Sequence, residues 1–318
     1  MIPRLHVGIT PWLAPIGGRA DRLAGQAVLA ESLGYESFWL PENHFSGDAA
    51  IPDPLMLLAA VSGATSRIKL GTTSYLLPLR HPLQAAEQVA VLDQLSGGRV
   101  ILGVGRGYQE SMFAAFNVER REKREIFEWC LATMIAAWRG EPVTTNDSTE
   151  VRLAPRPVQQ PHPPVWVAAF GPKALTQAGR LGLPYLASPM ETLATLKENY
   201  RRHREACAGT PPPEVPVMRS VFVSEDGTEI SSVRDLLEKQ AREARANGSA
   251  LIRRAAGDDI RDWAIVGDRA EVADGVARYV EELGVTHLVA TRLRIGGVPT
   301  DVLERSVRSF SELLGRAA

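Results

Sequence analysis

Short apolar runs rich in β-branched and aromatic residues alternate with helix-patterned stretches along this chain, and that alternation constrains the fold more than any other feature. Residues 5–10, 37–40, 68–75, 99–105, 165–169, 185–187, 215–223 and 286–291 read as strands. Helical patterns lie between them, over 21–33, from Pro54, over 82–95, 120–138, 172–181, 190–207 and 269–283, with a last one ending near Leu314. Pro54 and Pro82 suit the first helical position, and Gly34 and the Gly97-Gly98 pair suit helix ends. The strands are apolar throughout instead of alternating, as strands covered on both faces must be. Eight such βα units in 318 residues predict an α/β fold with a closed parallel barrel, and a single domain spanning 1–318. Two connections, 140–164 and 244–263, exceed ordinary loop lengths, and the second reads as a lid.

Composition excludes several function classes. A net charge of −1 gives no electrostatic drive toward nucleic acid or an anionic membrane surface. The two cysteines, Cys130 and Cys207, both fall in helical patterns, so a disulfide framework is not expected and a reducing compartment is compatible. The first dozen residues lack the apolar stretch of a signal peptide, and no apolar run approaches the length of about 20 residues that a membrane helix needs. A soluble, cytoplasmic protein is expected.

Chemistry concentrates at strand ends. The second strand stops in Trp39-Leu40-Pro41-Glu42-Asn43-His44-Phe45, which crowds an acid, an amide, an imidazole and a ring at the carboxyl end of a buried strand. The six histidines, at 6, 44, 81, 162, 203 and 287, have no zinc-ligand spacing, and neither a G-x-S-x-G elbow nor a Walker A loop occurs, so no metal is expected. Gly103, Gly105 and Gly107 follow a strand, but Tyr108 stands where a dinucleotide fingerprint has its third glycine. Anion binding is the better reading there, because Arg106 sits in a glycine-rich turn at a strand mouth and needs an anionic partner. Arg124 opens a helix farther on, either as a second anion ligand or as a surface pair with Glu128. Phe170-Gly171-Pro172-Lys173-Ala174 opens another helix and is either an anion site at its N-terminus or an ordinary βα turn.

Taken in order, Glu42-Asn43-His44-Phe45, Gly71-Thr72-Thr73-Ser74, Leu76-Leu77-Pro78-Leu79-Arg80-His81-Pro82, Leu92-Asp93-Gln94-Leu95-Ser96-Gly97-Gly98-Arg99, Gly103-Val104-Gly105-Arg106-Gly107 and Val266-Gly267-Asp268 resemble the bacterial luciferase-like flavin-dependent monooxygenases over nearly the whole chain. The resemblance implies a (β/α)8 TIM barrel with insertions, one of them after strand seven, and a flavin-type cofactor at the carboxyl-end mouth. It implies that Arg106 and Arg124 hold the flavin phosphate, that Phe170, Gly171, Pro172, Lys173 and Ala174 form the phosphate loop, and that Tyr108 joins the cofactor site. Thr72, Thr73 and Ser74 match the segment against the isoalloxazine ring, where the family often has a non-proline cis peptide.

One departure matters. Luciferases carry two successive histidines in the second-strand motif, and here the first is Asn43, so light emission from an aldehyde is not implied. The expected enzyme is a two-component monooxygenase that takes reduced FMN from a separate flavin reductase and uses O2 on a small organic substrate. Lys173 after Gly171-Pro172 also resembles relatives that use a deazaflavin coenzyme for hydride transfer, and a non-catalytic flavin-binding protein is a third reading. His44 is the expected general acid/base, since imidazole titrates near neutrality, with Asn43 orienting and Glu42 a buried partner. The second helix is apolar nearly all round, from Leu55 to Val61, and with the third it predicts a C2 homodimer.

Overall fold

Parallel strands joined through helices build both units of the chain in the computed structural model, which describes residues 4–13, 20–144, 148–247, 259–291 and 297–315. The strands are β1 (His6–Ile9), β2 (Ser37–Leu40), β3 (Lys69–Thr72), β4 (Tyr75–Leu76), β5 (Val100–Gly105), β6 (Val143–Thr144), β7 (Glu150–Val151), β8 (Val165–Ala168), β9 (Tyr185–Leu186), β10 (Pro216–Val223), β11 (Ala264–Gly267) and β12 (His287–Thr291). The α-helices are α1 (Ala20–Ser32), α2 (Pro54–Ala64), α3 (Pro82–Ser96), α4 (Glu110–Ala115), α5 (Lys123–Arg139), α6 (Pro172–Arg180), α7 (Leu193–Ala206), α8 (Gly227–Asn247), α9 (Arg269–Leu283) and α10 (Thr300–Leu313).

One unit comprises Pro15–Ala27 and Leu40–Trp166. Here Leu40 O accepts from Thr73 N at 2.8 Å, β3 and β4 both run parallel to β5, and Leu102 N donates to Pro164 O at 2.8 Å. Local chemistry sets the helix limits. Pro54 and Pro82 occupy first turns, Asp53 caps α2 by accepting from Met56 N, and α3 ends at Gly97 in the left-handed region at φ 63°. The sequence run from Leu92 to Arg99 turns out to be structural. Arg99 is buried and donates to Ser62 O, Thr65 O, Ile68 O and Ser96 O, closing the end of α2. Buried Asp93 accepts from the main-chain N and side-chain Nε2 of Gln159.

The second unit comprises Met1–Ala14, Val28–Trp39 and Val167–Ala318. Its strands are also parallel: β10 pairs β12 and β11, β12 pairs β1, β1 pairs β2, and Ala187 bridges to Val217. Helix α9 begins in a capping box of Asp268 and Glu271, which is the role of the Val266-Gly267-Asp268 run. Among the described residues no helix is long and apolar enough to cross a membrane.

Several sequence expectations are corrected. The third strand, expected over 68–75, is broken into β3 and β4 by the cis peptide Thr73–Ser74. Helix α5 starts at Lys123 instead of Arg120, because α4 and a turn occupy the preceding segment. The 140–164 connection holds the antiparallel pair β6–β7. Strand β11 was not foreseen, since four residues carry too little periodicity to register. The expected lid at 244–263 is α8 up to Asn247 and a 3-10 turn at Ile260–Asp262; its centre, 248–258, lies outside the described residues.

A buried polar network anchors the β9–β10 region. Glu191 accepts from Tyr185 Oη (2.8 Å), Ser188 N (2.8 Å) and Asn199 Nδ2 (2.6 Å). Fully buried Arg219 donates to Glu191 O (2.8 Å), Ser188 O (3.0 Å) and Tyr279 Oη (2.6 Å). Burial pushes the Glu191 carboxyl up to about 7, against the pull of these donors and of Arg219. The native state therefore holds this proton over a range where the unfolded chain, near 4.5, has lost it. Stability relative to a Glu191→Gln variant should fall as pH rises from about 4.5 to about 7 and stay level above, by a total on the order of 3 kcal/mol. Urea unfolding of both proteins at pH 4.5, 6 and 8 measures this; a stability difference constant across that range would contradict it.

Candidate active site

In the unit built on Leu40–Trp166, three chain segments meet beyond the carboxyl ends of adjacent strands. They are Asn43–Phe45 after β2, Thr73–Ser74 between β3 and β4, and Arg106–Tyr108 after β5. Thr72 Oγ1 donates to Gly103 O at 2.7 Å, tying β3 to β5. Gly105 must lack a side chain, because a Cβ there would lie 2.1 Å from Ser74 Oγ. The cis bond falls at Thr73–Ser74, where the resemblance placed it. Thr73 Oγ1 is buried and has no hydrogen-bond partner among the described residues.

Glu42 organises the histidine. Its fully buried carboxylate accepts from His44 Nε2 (2.7 Å), Arg80 Nη1 (2.8 Å) and Leu76 N (2.9 Å). Arg80 also donates to Leu76 O at 2.9 Å and lies over the Tyr75 ring at 3.9 Å. All three partners of Glu42 are donors, so Nε2 of His44 carries a proton, and in the neutral imidazole Nδ1 is the acceptor. Nδ1 has no hydrogen-bond partner among the described residues and is not sealed from solvent. Asn43 pairs with Ile51 through its main chain, and its Oδ1 accepts from Ile51 N at 3.2 Å, which leaves the amide Nδ2 to donate. Burial pushes the Tyr75 hydroxyl well above its ordinary range, so it stays protonated and donates to Gln88 Oε1 at 2.9 Å.

Cations gather after β5. Arg106 is half-buried over the Phe127 ring, and Lys123 Nζ donates to Gly107 O at 3.0 Å. Burial pulls Arg106 down to about 10, helped by the Arg124 charge and opposed by Glu128. Burial also lowers Lys123, with Arg120, Arg106 and Arg124 acting in the same direction. Mutually repelling, partly desolvated cations are what an anion would relieve. Tyr108 is exposed.

The segment from Phe170 to Ala174 belongs to the other unit. Gly171 stands at φ 92° as the N-cap of α6, Pro172 takes the first position, and Lys173 is exposed. Ala174 N and Leu175 N both donate to Gly171 O, which makes a regular helix start.

Sequence reasoning missed two contributors, Arg80 and Lys123. Arg80 lay inside a recognised run without a role, and nothing in the sequence says that it reaches back to Glu42. Lys123 sat in a charge run that reads as a solvated helix face. Phe116, also missed, contacts His44 edge-on at 4.9 Å.

Parallel βα units that carry a histidine–carboxylate pair and a cluster of cations at strand ends define an α/β protein of the kind that puts polar groups beyond its strands. The luciferase-like monooxygenase family model matches residues 6–287, and the chain belongs to that family. Among curated relatives, y4vJ of Sinorhizobium fredii (strain NBRC 101917 / NGR234), an uncharacterized protein, is 32% identical over 70% of this chain and 66% of its own length. The oxygenase component of the flavin-dependent trigonelline monooxygenase of Acinetobacter baylyi is 26% identical over 64% of this chain and 59% of its own length. The chain thus spans about two thirds or less of these relatives. Of solved structures, the monooxygenase RslO1 from Streptomyces bottropensis superposes with a TM-score of 0.79 at 27% identity, covering 97% of this chain and 98% of that one. The oxygenating constituent of 3,6-diketocamphane monooxygenase from Pseudomonas putida, solved in complex with FMN, shares the fold with a TM-score of 0.81 at 19% identity, covering 98% and 97%. The fold is the TIM-barrel type expected from the βα alternation.

Proposed function

We propose that the chain is the oxygenase of a two-component flavin-dependent monooxygenase: it receives reduced FMN from a separate reductase and oxidises a small organic substrate with O2. The observation that carries this is the pair of half-buried cations Arg106 and Lys123 with exposed Arg124 beside them, whose charge helps burial to lower both. That donor set suits a phosphate group, and the orphaned Thr73 Oγ1 beside the cis peptide suits a polar ring edge. Arg106, Arg124 and Lys123 would hold the phosphate, while Thr72, Thr73, Ser74 and Tyr108 would border the ring. The reduced flavin supplies the electrons that activate O2. His44 Nδ1 takes a proton from the substrate and returns it, Glu42 and Arg80 hold the imidazole in that tautomer, and Asn43 Nδ2 orients an oxygen atom. The oxygenase component among the relatives supports a reductase partner. The whole chain, 1–318, acts as one cytoplasmic luciferase-like domain in this reading.

The chain also forms a C2 homodimer in this reading. Helices α2 and α3 bury Leu55, Leu58, Val61 and Val89 but leave Met56 (72% exposed), Leu95 (61%) and Val91 on the surface. Exposed apolar side chains grouped on adjacent helices are better covered by a second copy than by water. Light scattering at micromolar concentration should give twice the 34.6 kDa chain mass, and Met56→Glu should shift it toward the monomer. A monomeric wild type defeats the dimer.

Separate titrations with FMN, reduced FMN and the deazaflavin coenzyme test the cofactor. Reduced FMN should bind most tightly; tight binding of the deazaflavin alone replaces oxygen chemistry with hydride transfer, and a flavin bound without turnover favours storage. Arg106→Ala should weaken FMN by about 1.5–3 kcal/mol and leave riboflavin, which lacks the phosphate, unchanged. An equal loss for both ligands removes the phosphate assignment. His44→Gln should lower turnover by about 10²–10⁴-fold with flavin affinity nearly intact. Activity kept within a few-fold by a folded variant would remove the acid/base role.

A further inference from the structure

Two phenylalanines flank the open side of His44. Phe45 is 5.9 Å and Phe116 4.9 Å from the imidazole centroid, and the two phenyl rings lie 6.0 Å apart at 36°. Both are exposed, Phe45 by 70% and Phe116 by 40%. Neither exposure is explained by stability. Phe45 sits in the left-handed region at φ 58°, which costs a bulky residue about 1–2 kcal/mol, and its ring gains little burial in return. Phe116 is held by a buried anchor: it ends α4, whose Met112 and Phe113 pack on Leu76. A ring fixed in place and left bare is a preformed contact surface.

The geometry selects what fits it. At 6.0 Å the two rings already form a direct tilted pair, so no third ring enters between them and a ligand must lie on their outer faces. The His44 side chain is only 8% exposed, so its open Nδ1 is reached by a small molecule and not by a macromolecular surface. In the neutral imidazole that atom accepts, because Nε2–H is committed to Glu42 at 2.7 Å. A ligand touching both features must offer a flat apolar face and a hydrogen-bond donor at its edge.

We propose that Phe45 and Phe116 form the seat for the substrate, and that the substrate is an uncharged planar aromatic compound whose O–H or N–H donates to His44 Nδ1. This rests on the reading of His44 as the group that meets the substrate, and it sets the specificity of that same site. Phe45 and Phe116 are specificity residues here. Aliphatic chains lose the ring–ring term, and compounds lacking a donor leave Nδ1 unpaired.

Calorimetric titration without any flavin separates this proposal from the oxygenase reading. The probes are 2-naphthol, 2-methoxynaphthalene, which lacks the donor, and decahydro-2-naphthol, which lacks the flat ring. 2-Naphthol should bind more tightly than both of the others. Phe45→Leu and Phe116→Leu keep the apolar bulk and the Cβ atom, and each should weaken 2-naphthol by about 2- to 10-fold, the worth of an aromatic pair, while barely changing decahydro-2-naphthol. His44→Gln should abolish the preference for 2-naphthol over its methyl ether. FMN affinity should be the same in Phe45→Leu and wild type. Equal binding of the flat and saturated alcohols, no binding of 2-naphthol, or loss of FMN in parallel with 2-naphthol overturns the proposal. Bound 2-naphthol that is not oxidised when reduced FMN and O2 are supplied would count against the oxygenase reading and leave the seat in place.

Discussion

A charged carboxylate buried without full compensation costs several kcal/mol, and the strand-end region around His44 is built around meeting that cost for Glu42. Its two oxygens accept from an imidazole, a guanidinium and a main-chain amide, so one side chain fixes the segment 42–44 against the segment 76–80. Leu76 N sets β4 immediately after the cis peptide, Arg80 stands over Tyr75, and His44 is left with a single tautomer. Losing any of the three donors would leave a buried charge short of a partner, which is why the arrangement is rigid and not adjustable.

The second buried carboxylate shows why such networks differ in purpose. Glu191 is also surrounded by donors, and Arg219 beside it is likewise spent on carbonyls and on Tyr279. There the donors are a tyrosine, an amide and a main-chain N–H, none of which presents a vacant acceptor to solvent. At Glu42 one donor is a histidine, whose second nitrogen remains open. The chemistry of a site thus lies in the atom that a satisfied network leaves over. The cation cluster after β5 follows a related logic: the fold holds Arg106, Lys123 and Arg124 together against their repulsion.

Much of this was legible before any coordinates. Short continuous apolar runs and the 3.6-residue period of helices mark most elements, and proline and glycine mark their ends. The failures share a cause. Strand β11 and helix α4 are only four and six residues long, a length at which the pattern marks some elements, as at β2, and misses others. Arg99 entered only as the end of a run that carries the resemblance, and its guanidinium proves to clamp the end of α2, because an arginine after a glycine pair reads the same whether it meets carbonyls or a ligand.

By itself the sequence determined the fold class, the strand ends that carry chemistry, and the family, because these depend on local periodicity and on residue types close together in the chain. Tertiary structure alone decided which nitrogen of His44 is free, that Arg80 answers Glu42 from 38 positions away, that Lys123 turns back to Gly107, and that Phe116 stands beside the imidazole. Hydrogen bonds and charge–charge terms act over a few ångströms of space and carry no signature in chain separation, so only the packed structure reveals them.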